Sequence, residues 1–321
     1  MWWRCVGLAL CLVMAGPGAR AASPLLEEAV GLAGTAMWLD SGAPGMVLGV
    51  VRDDESLVVG FGAMRPKGDH PELANPEPNG QTLIRLGSIS KAFAGELLAS
   101  LVVDGRVRLT DPLAKYLAGV TVPAFSGREI TLLDLATHSA GLPREMGYAA
   151  EGVAPFTWPT RADRAAWLSK QALGWAPGTV ASYSNVGFDL LGDALEGAAG
   201  VSYATLLHER ITGPLGMNDT TLSPDPGQCA RMMLGTGLGA PAGAVGTDTD
   251  ATQASGGLYS TGNDMVLWLR HLLAGRTPVL AIDLAVYRMR QEMPAAIGFD
   301  EAGPMAGLGL AWVMQAAHGA A

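Results

Sequence analysis

A serine followed three residues later by a lysine can carry out acyl transfer. This chain has one such pair, Ser88 and Lys91, in Arg85-Leu86-Gly87-Ser88-Ile89-Ser90-Lys91-Ala92-Phe93. With 15 serines but only four lysines, chance supplies a Ser-x-x-Lys about 0.2 times in a chain of this length. A serine hydroxyl is a poor nucleophile until a neighbour accepts its proton. A lysine, with an ordinary pKa of about 10.4, can accept it only if burial or nearby cations displace its own. The competing reading is an N-cap serine beside a solvated lysine. Almost a hundred residues on, Tyr183-Ser184-Asn185 supplies a Tyr-x-Asn. Its phenol can shuttle a proton between nucleophile and leaving group if cations lower its pKa of about 10. Asn185 offers an amide that both donates and accepts. Alone, Tyr183 and Asn185 read as a half-buried core tyrosine and an N-cap asparagine. Beside Ser88 and Lys91 they read as parts of a site.

The elements that must hold these residues follow from periodicity. Apolar Ile89, Phe93, Leu97 and Leu101, spaced by four, predict a helix over Ile89–Val103 that stops at Asp104-Gly105. Ser88 then lies in its first turn, with Lys91 on the same face. Ala176-Pro177-Gly178 reads as a turn, Val180 to Tyr183 as short and extended, and Val186 to Ala199 as an amphipathic helix opened by Asn185. Elsewhere a helix is expected over Pro24–Leu39, strands over Met46–Val51 and Leu57–Gly62, and a loop over Pro66–Gly80. Mostly helical chain is expected from Ser88 to about Gly216, a glycine-rich loop over Gly235–Gly246, a helix over Thr261–Leu273 and a strand over Gly307–Met314.

These motifs resemble the serine β-lactamase and DD-peptidase superfamily, in its class C branch, most closely the AmpH-type D-alanyl-D-alanine carboxypeptidase/endopeptidases. Further stretches carry the resemblance: Thr131 to Ser139 with Leu142-Pro143-Arg144-Glu145, Trp158-Pro159-Thr160, Gly213 to Met217, Ser255 to Thr261 and Gly307 to Trp312. The resemblance implies an α+β fold, an α/β sandwich of β-lactamase/transpeptidase type. An antiparallel sheet with flanking helices would face a mostly helical lobe, with the site between them. It also implies that Ser88 attacks, that Lys91 and Tyr183 handle protons, that Asn185 orients the substrate amide, and that the Ser88 N–H gives half of an oxyanion hole.

The family's third motif, Lys-Thr-Gly or a variant, has no counterpart. No lysine follows Lys170, and none of His208, His271 and His318 has a glycine two residues on. The expectation is a chain truncated before that motif, lacking the last strands and the closing helix, and a poor enzyme for that reason.

Composition fits a secreted globular protein. Half the residues are hydrophobic, enough for a large core, and the formal charge of −9 argues against nucleic acid and anionic membrane surfaces. Met1–Arg4, the apolar run Cys5–Ala15 and Ala19-Arg20-Ala21 read as a secretory signal over residues 1–21, with one domain over 22–321. Cys5 and Cys11 would leave with it, and Cys229 would have no partner. The five histidines lack metal-ligand spacing, so neither metal nor cofactor is expected. His138 reads as a structural residue, Asp248 and Asp250 as solvated, and Gly235-Thr236-Gly237-Leu238-Gly239 as a surface loop.

Three functions compete. The favoured one is a periplasmic acyl-serine hydrolase of D-Ala-D-Ala-type peptidoglycan peptides that also binds β-lactams. The others are a class C-like β-lactamase or small-ester hydrolase, and a non-catalytic penicillin- or peptidoglycan-binding fragment. A monomer without a membrane span after signal cleavage is expected, with peripheral membrane contact left open.

Overall fold

The computed structural model describes residues 20–67, 74–147, 152–153, 158–234, 250–299 and 303–315. Residues 1–19, most of the expected leader, with Cys5 and Cys11, lie outside these residues. So do residues 68–73 of the Pro66–Gly80 loop, the glycine-rich loop Gly235–Gly246, Asp248 and His318.

After a two-residue strand β1 (Arg20–Ala21), α1 (Pro24–Ser41) opens on a proline and ends at Gly42, whose φ of 63° stops a helix without Cβ strain. β2 (Gly45–Arg52) and β3 (Glu55–Gly62) form a hairpin in register from Gly45↔Gly62 to Arg52↔Glu55. α1 lies against it closely: a Cβ on Gly34 would stand 2.3 Å from the Phe61 ring. β4 (Leu83–Arg85) leads through a 3-10 turn at Gly87–Ile89 into α2 (Ser90–Val103). A short hairpin, β5 (Ala124–Phe125) and β6 (Arg128–Glu129), precedes α3 (Leu132–Ala136). Next come α4 (Arg161–Leu168), β7 (Ala181–Ser182), α5 (Asn185–Ala199) and α6 (Tyr203–Leu207). α7 (Gly213–Leu215), α8 (Pro226–Ala230), α9 (Gln253–Gly256), β8 (Tyr259–Thr261), α10 (Gly262–Ala274) and α11 (Pro278–Asp283) follow. The last strands are β9 (Arg288–Met289), β10 (Ala296–Ile297), β11 (Met305–Leu308) and β12 (Val313–Gln315).

α2 is the axis of the core. Every residue from Ser90 to Leu101 is buried, and α5, α9 and α11 pack around it. Phe93 stacks on Trp268 at 4.3 Å, and Trp268 on Trp312 at 6.0 Å. A smaller core of Ala181, Met293, Phe299 and Leu308 ties β7 to the final strands. Among the described residues no helix is long and apolar enough to cross a membrane.

The fold is the mixed helix-and-strand, β-lactamase/transpeptidase-like one that the resemblance implied, with local differences. Of the four-residue stripe, Phe93, Leu97 and Leu101 are fully buried but Ile89 is 47% exposed, because the chain there is still in the 3-10 turn. The strands are not all antiparallel: β1 runs parallel to β3, and β7 parallel to β10. Gly307–Met314 is not one strand but parts of β11 and β12 around a reversal. There Gly309 N–H donates to Trp312 O at 2.8 Å and Ala311 takes φ 71°. The alternating Gly-Leu-Gly-Leu-Ala-Trp resembles a strand, yet it carries the residues that turn the chain. Between Asp104 and Thr131 there are turns, a 3-10 piece and the β5–β6 hairpin rather than helix.

Candidate active site

Ser88 sits where β4 hands over to α2. Gly87 takes φ 54°, a conformation that glycine adopts without Cβ strain, and turns the chain out of the strand. The junction is docked on the segment after α9: Leu86 N–H donates to Leu258 O at 2.8 Å, and Leu258 N–H to Ser90 Oγ at 3.1 Å. Lys91, on the first turn of α2, reaches back so that its Nζ is 3.3 Å from Ser88 Oγ. The same ammonium donates to Ser255 O at 2.6 Å. Lys91 is only 2% exposed. Burial holds its pKa below the ordinary lysine value, against the opposing pull of Tyr183, Asp189 and Glu145.

Tyr183 arrives from a different part of the chain. β7 fixes the approach, with Ser182 N–H donating to His138 O at 2.7 Å and Tyr183 N–H to Ile297 O at 2.9 Å. The Tyr183 hydroxyl then donates to Ser88 Oγ at 2.7 Å. Ser88 Oγ thus has two candidate proton acceptors within reach. Lys91 Nζ also lies 4.9 Å from the centre of the Tyr183 ring, and the Arg144 guanidinium lies at the same distance.

Asn185 is the first residue of α5 but not its cap. Ser184 has that role: its Oγ accepts from Gly187 N–H at 2.9 Å and donates to Pro143 O at 2.6 Å. Asn185 is thereby free to turn its amide elsewhere. Nδ2 donates to Glu145, while Oδ1 is buried with no hydrogen-bond partner among the described residues. A carbonyl so placed lacks a donor, such as a substrate N–H would supply.

Three residues around the four were not singled out from the sequence as parts of the site, and His138 was read as structural. His138 is buried, and its Nδ1 accepts from Ser184 N–H at 3.0 Å. Its ring stacks on Tyr183 at 4.4 Å, and burial, with Lys91 and Arg144 nearby, pushes its pKa well below 6.5. It therefore stands as a neutral wall behind the phenol. Arg144 and Glu145 lie within the quoted Leu-Pro-Arg-Glu piece, which gave no role for them. Asp189 could have been noticed as a carboxylate four residues after Asn185, on the apolar side of α5. Asp250, expected to be solvated, is half exposed and lies 3.1 Å from Arg161.

Two clefts meet at Ser88. One, of about 700 Å³, is lined by Arg85, Glu145, Trp158, Asn185, Asp189 and Ser255. The other, of about 450 Å³, is more apolar and is lined by Lys91, His138, Tyr183, Trp268, Phe299 and Trp312. Among the described residues no three of His, Cys, Asp and Glu gather as metal ligands would. A serine hydroxyl at the meeting of two clefts, in reach of an amine of lowered pKa and a phenol, has the parts that nucleophilic acyl transfer needs.

The chain is 39% identical over 282 residues to D-alanyl-D-alanine-carboxypeptidase/endopeptidase AmpH of Escherichia coli (strain K12), covering 86% of this chain and 70% of that protein. It is 30% identical over 230 residues to a Beta-lactamase of the same organism, covering 71% of this chain and 56% of that one. Among solved structures, the Beta-lactamase/D-alanine Carboxypeptidase from Yersinia pestis complexed with citrate superposes with a TM-score of 0.84 at 38% identity, over 92% of this chain and 84% of that one. A class C beta lactamase superposes with a TM-score of 0.65 at 19% identity, over 81% and 70%, a likeness of fold. The family described as Beta-lactamase matches residues 22–320. With that match, and relatives more than a third identical to it over the aligned residues, this chain belongs to the Beta-lactamase family and is a serine hydrolase.

Proposed function

We propose that the protein is a periplasmic acyl-serine hydrolase that cleaves D-Ala-D-Ala-type peptides of peptidoglycan, as carboxypeptidase or endopeptidase, and that β-lactams acylate the same serine. The observation that carries this is Ser88 Oγ held between Lys91 Nζ at 3.3 Å and Tyr183 OH at 2.7 Å. Ser88 Oγ bonds to the scissile carbonyl carbon, and its proton passes to neutral Lys91. The Ser88 N–H serves as one donor to the developing oxyanion. Tyr183 relays a proton to the leaving amine, the C–N bond breaks, and water then hydrolyses the acyl-enzyme. Asn185, whose Oδ1 has no hydrogen-bond partner among the described residues, orients the substrate's backbone amide. The substrate class rests on the similarity to the AmpH protein and to the Yersinia pestis enzyme. The periplasmic setting rests on the signal-like residues 1–21.

The test is covalent labelling by a fluorescent penicillin, with the adduct located by mass spectrometry. The wild type should gain one adduct on Ser88, and Ser88→Ala none while its circular dichroism is unchanged. Labelling of Ser88→Ala would overturn the assignment. Release of D-Ala from a muropeptide should exceed hydrolysis of nitrocefin or a p-nitrophenyl ester; the reverse order would replace the peptidase reading with a β-lactamase or esterase one.

A further inference from the structure

Asp189 lies one turn beyond Asn185 on α5 and lines the same cleft as Ser88. It is buried, only 6% exposed. A carboxyl group in such a place is costly unless it is hydrogen-bonded. Its Oδ1 accepts from Ser255 N–H at 3.2 Å, and Ser255 O in turn accepts from Lys91 Nζ at 2.6 Å. The backbone of one residue thus joins the carboxyl to the ammonium that faces Ser88. It also fixes the end of α9, where Gly256 lies against Gly87: a Cβ added to Gly256 would come within 3.7 Å of that backbone.

We propose that Asp189 is a positioning residue for acyl transfer, acting on Ser88 through the Ser255 backbone and the charge of Lys91. The inference rests on the assignment of Ser88 and Lys91 made above. The charged and titratable groups facing Asp189 are Lys91 from α2, Arg164 from α4, Tyr203 from α6 and Asp193 on α5 itself. Arg164 is held by Asp193 at 2.8 Å. Around Lys91 stand Tyr183, Glu145, His138 and Asp189. Burial pushes Asp189 up to about 7, with Arg164, Ser255 N–H and Lys91 pulling down and Asp193 pushing up. An ionised Asp189 favours the proton on Lys91, and a neutral one releases it. The acid limb of acylation then belongs to the pair rather than to either group.

The experiment compares wild type, Asp189→Asn and Asp189→Leu, with Ser88→Ala as the blank. It measures the second-order rate of labelling by a fluorescent penicillin from pH 5 to 9, with melting curves alongside. Asp189→Asn keeps an acceptor for Ser255 N–H but removes the charge, so its acid limb should move to lower pH by about one unit. Asp189→Leu also removes the acceptor and should lower the plateau rate by at least about tenfold. If Asp189→Leu fails to fold, the Asp189→Asn profile decides. A profile for Asp189→Asn that superimposes on the wild type, with Ser88→Ala unlabelled, would overturn this inference and leave the Ser88 assignment standing. Labelling of Ser88→Ala, or none in the wild type, would overturn both.

Discussion

Lys91 Nζ stands 2.6 Å from Ser255 O and 3.3 Å from Ser88 Oγ, so the backbone carbonyl holds the ammonium and the serine is its second neighbour. With one N–H donated to Ser255 O, the neutral amine keeps a lone pair that can take the Ser88 proton. Lys91→Arg keeps the charge but cannot deprotonate near neutrality. Acylation of Ser88 should fall by about 10²–10⁴, followed as the time course of penicillin labelling. A rate near that of the wild type would reduce Lys91 to a fixed charge.

His138 should make the fold sensitive to acid. Its pKa in the folded protein is depressed below the ordinary 6.5, by burial first and then by Lys91 and Arg144. The unfolded chain therefore takes up a proton that the folded one refuses. The stability that neutral His138 contributes is full above pH 6.5 and is lost as pH falls below it. His138→Asn suits the positive φ of 53° and retains an acceptor for Ser184 N–H. Melting temperatures from pH 4.5 to 8 should decline less steeply on the acid side for His138→Asn than for the wild type. Parallel curves would mean that His138 is protonated in the folded protein.

Ser184→Ala removes the cap of α5 and the donor to Pro143 O. The expected cost is about 1–2 kcal/mol, a fall in melting temperature of about 2–4 °C for a protein of this size. Asn185, released from its place beside Glu145, should also lose substrate affinity, so labelling slows in the same variant. An unchanged melting curve would show that solvent replaces the cap without loss.

Asp283 offers a contrary pH dependence. It is fully buried, its Oδ2 accepts from Trp312 Nε1 at 3.0 Å, and its Oδ1 has no hydrogen-bond partner among the described residues. Burial pushes its pKa up to about 8, with Glu96 adding to the rise and Trp312 opposing it. The folded state thus keeps a proton that the unfolded chain has lost above about pH 4. Stability from this group is full below that pH and is lost as pH rises through 8. Asp283→Asn keeps the acceptor for Trp312 without the charge. Its melting temperature should gain on the wild type as pH is raised from 5 to 9, and a constant difference would contradict the raised pKa.

Much of this was legible in the sequence because chemistry and local geometry coincide. Ser88 and Lys91 are neighbours on one turn, so spacing alone brings them together. The capping pairs are local too, Thr131 with Asp134 and Thr160 with Asp163, each three residues apart. What was not legible depends on distant segments. Nothing near Asp189 indicates that Ser255, 66 residues on, will supply its donor. Ser184 and Asn185 are both good caps, and the choice between them falls to Pro143 and Glu145, some forty residues earlier. The β11–β12 reversal was misread because alternation signals a strand whether or not Ala311 adopts a positive φ.

The distances along the chain that hid those contacts have a practical use. Ser88 meets Tyr183 across 95 residues, and Lys91 meets Ser255 across 164. A chain that has formed its helices without docking them presents a serine without Tyr183, beside a Lys91 that is neither buried nor held by Ser255 and so keeps its proton. Uptake of a penicillin label therefore works as a head-count of finished molecules. It ignores collapsed forms that spectroscopy of the backbone would still score as folded.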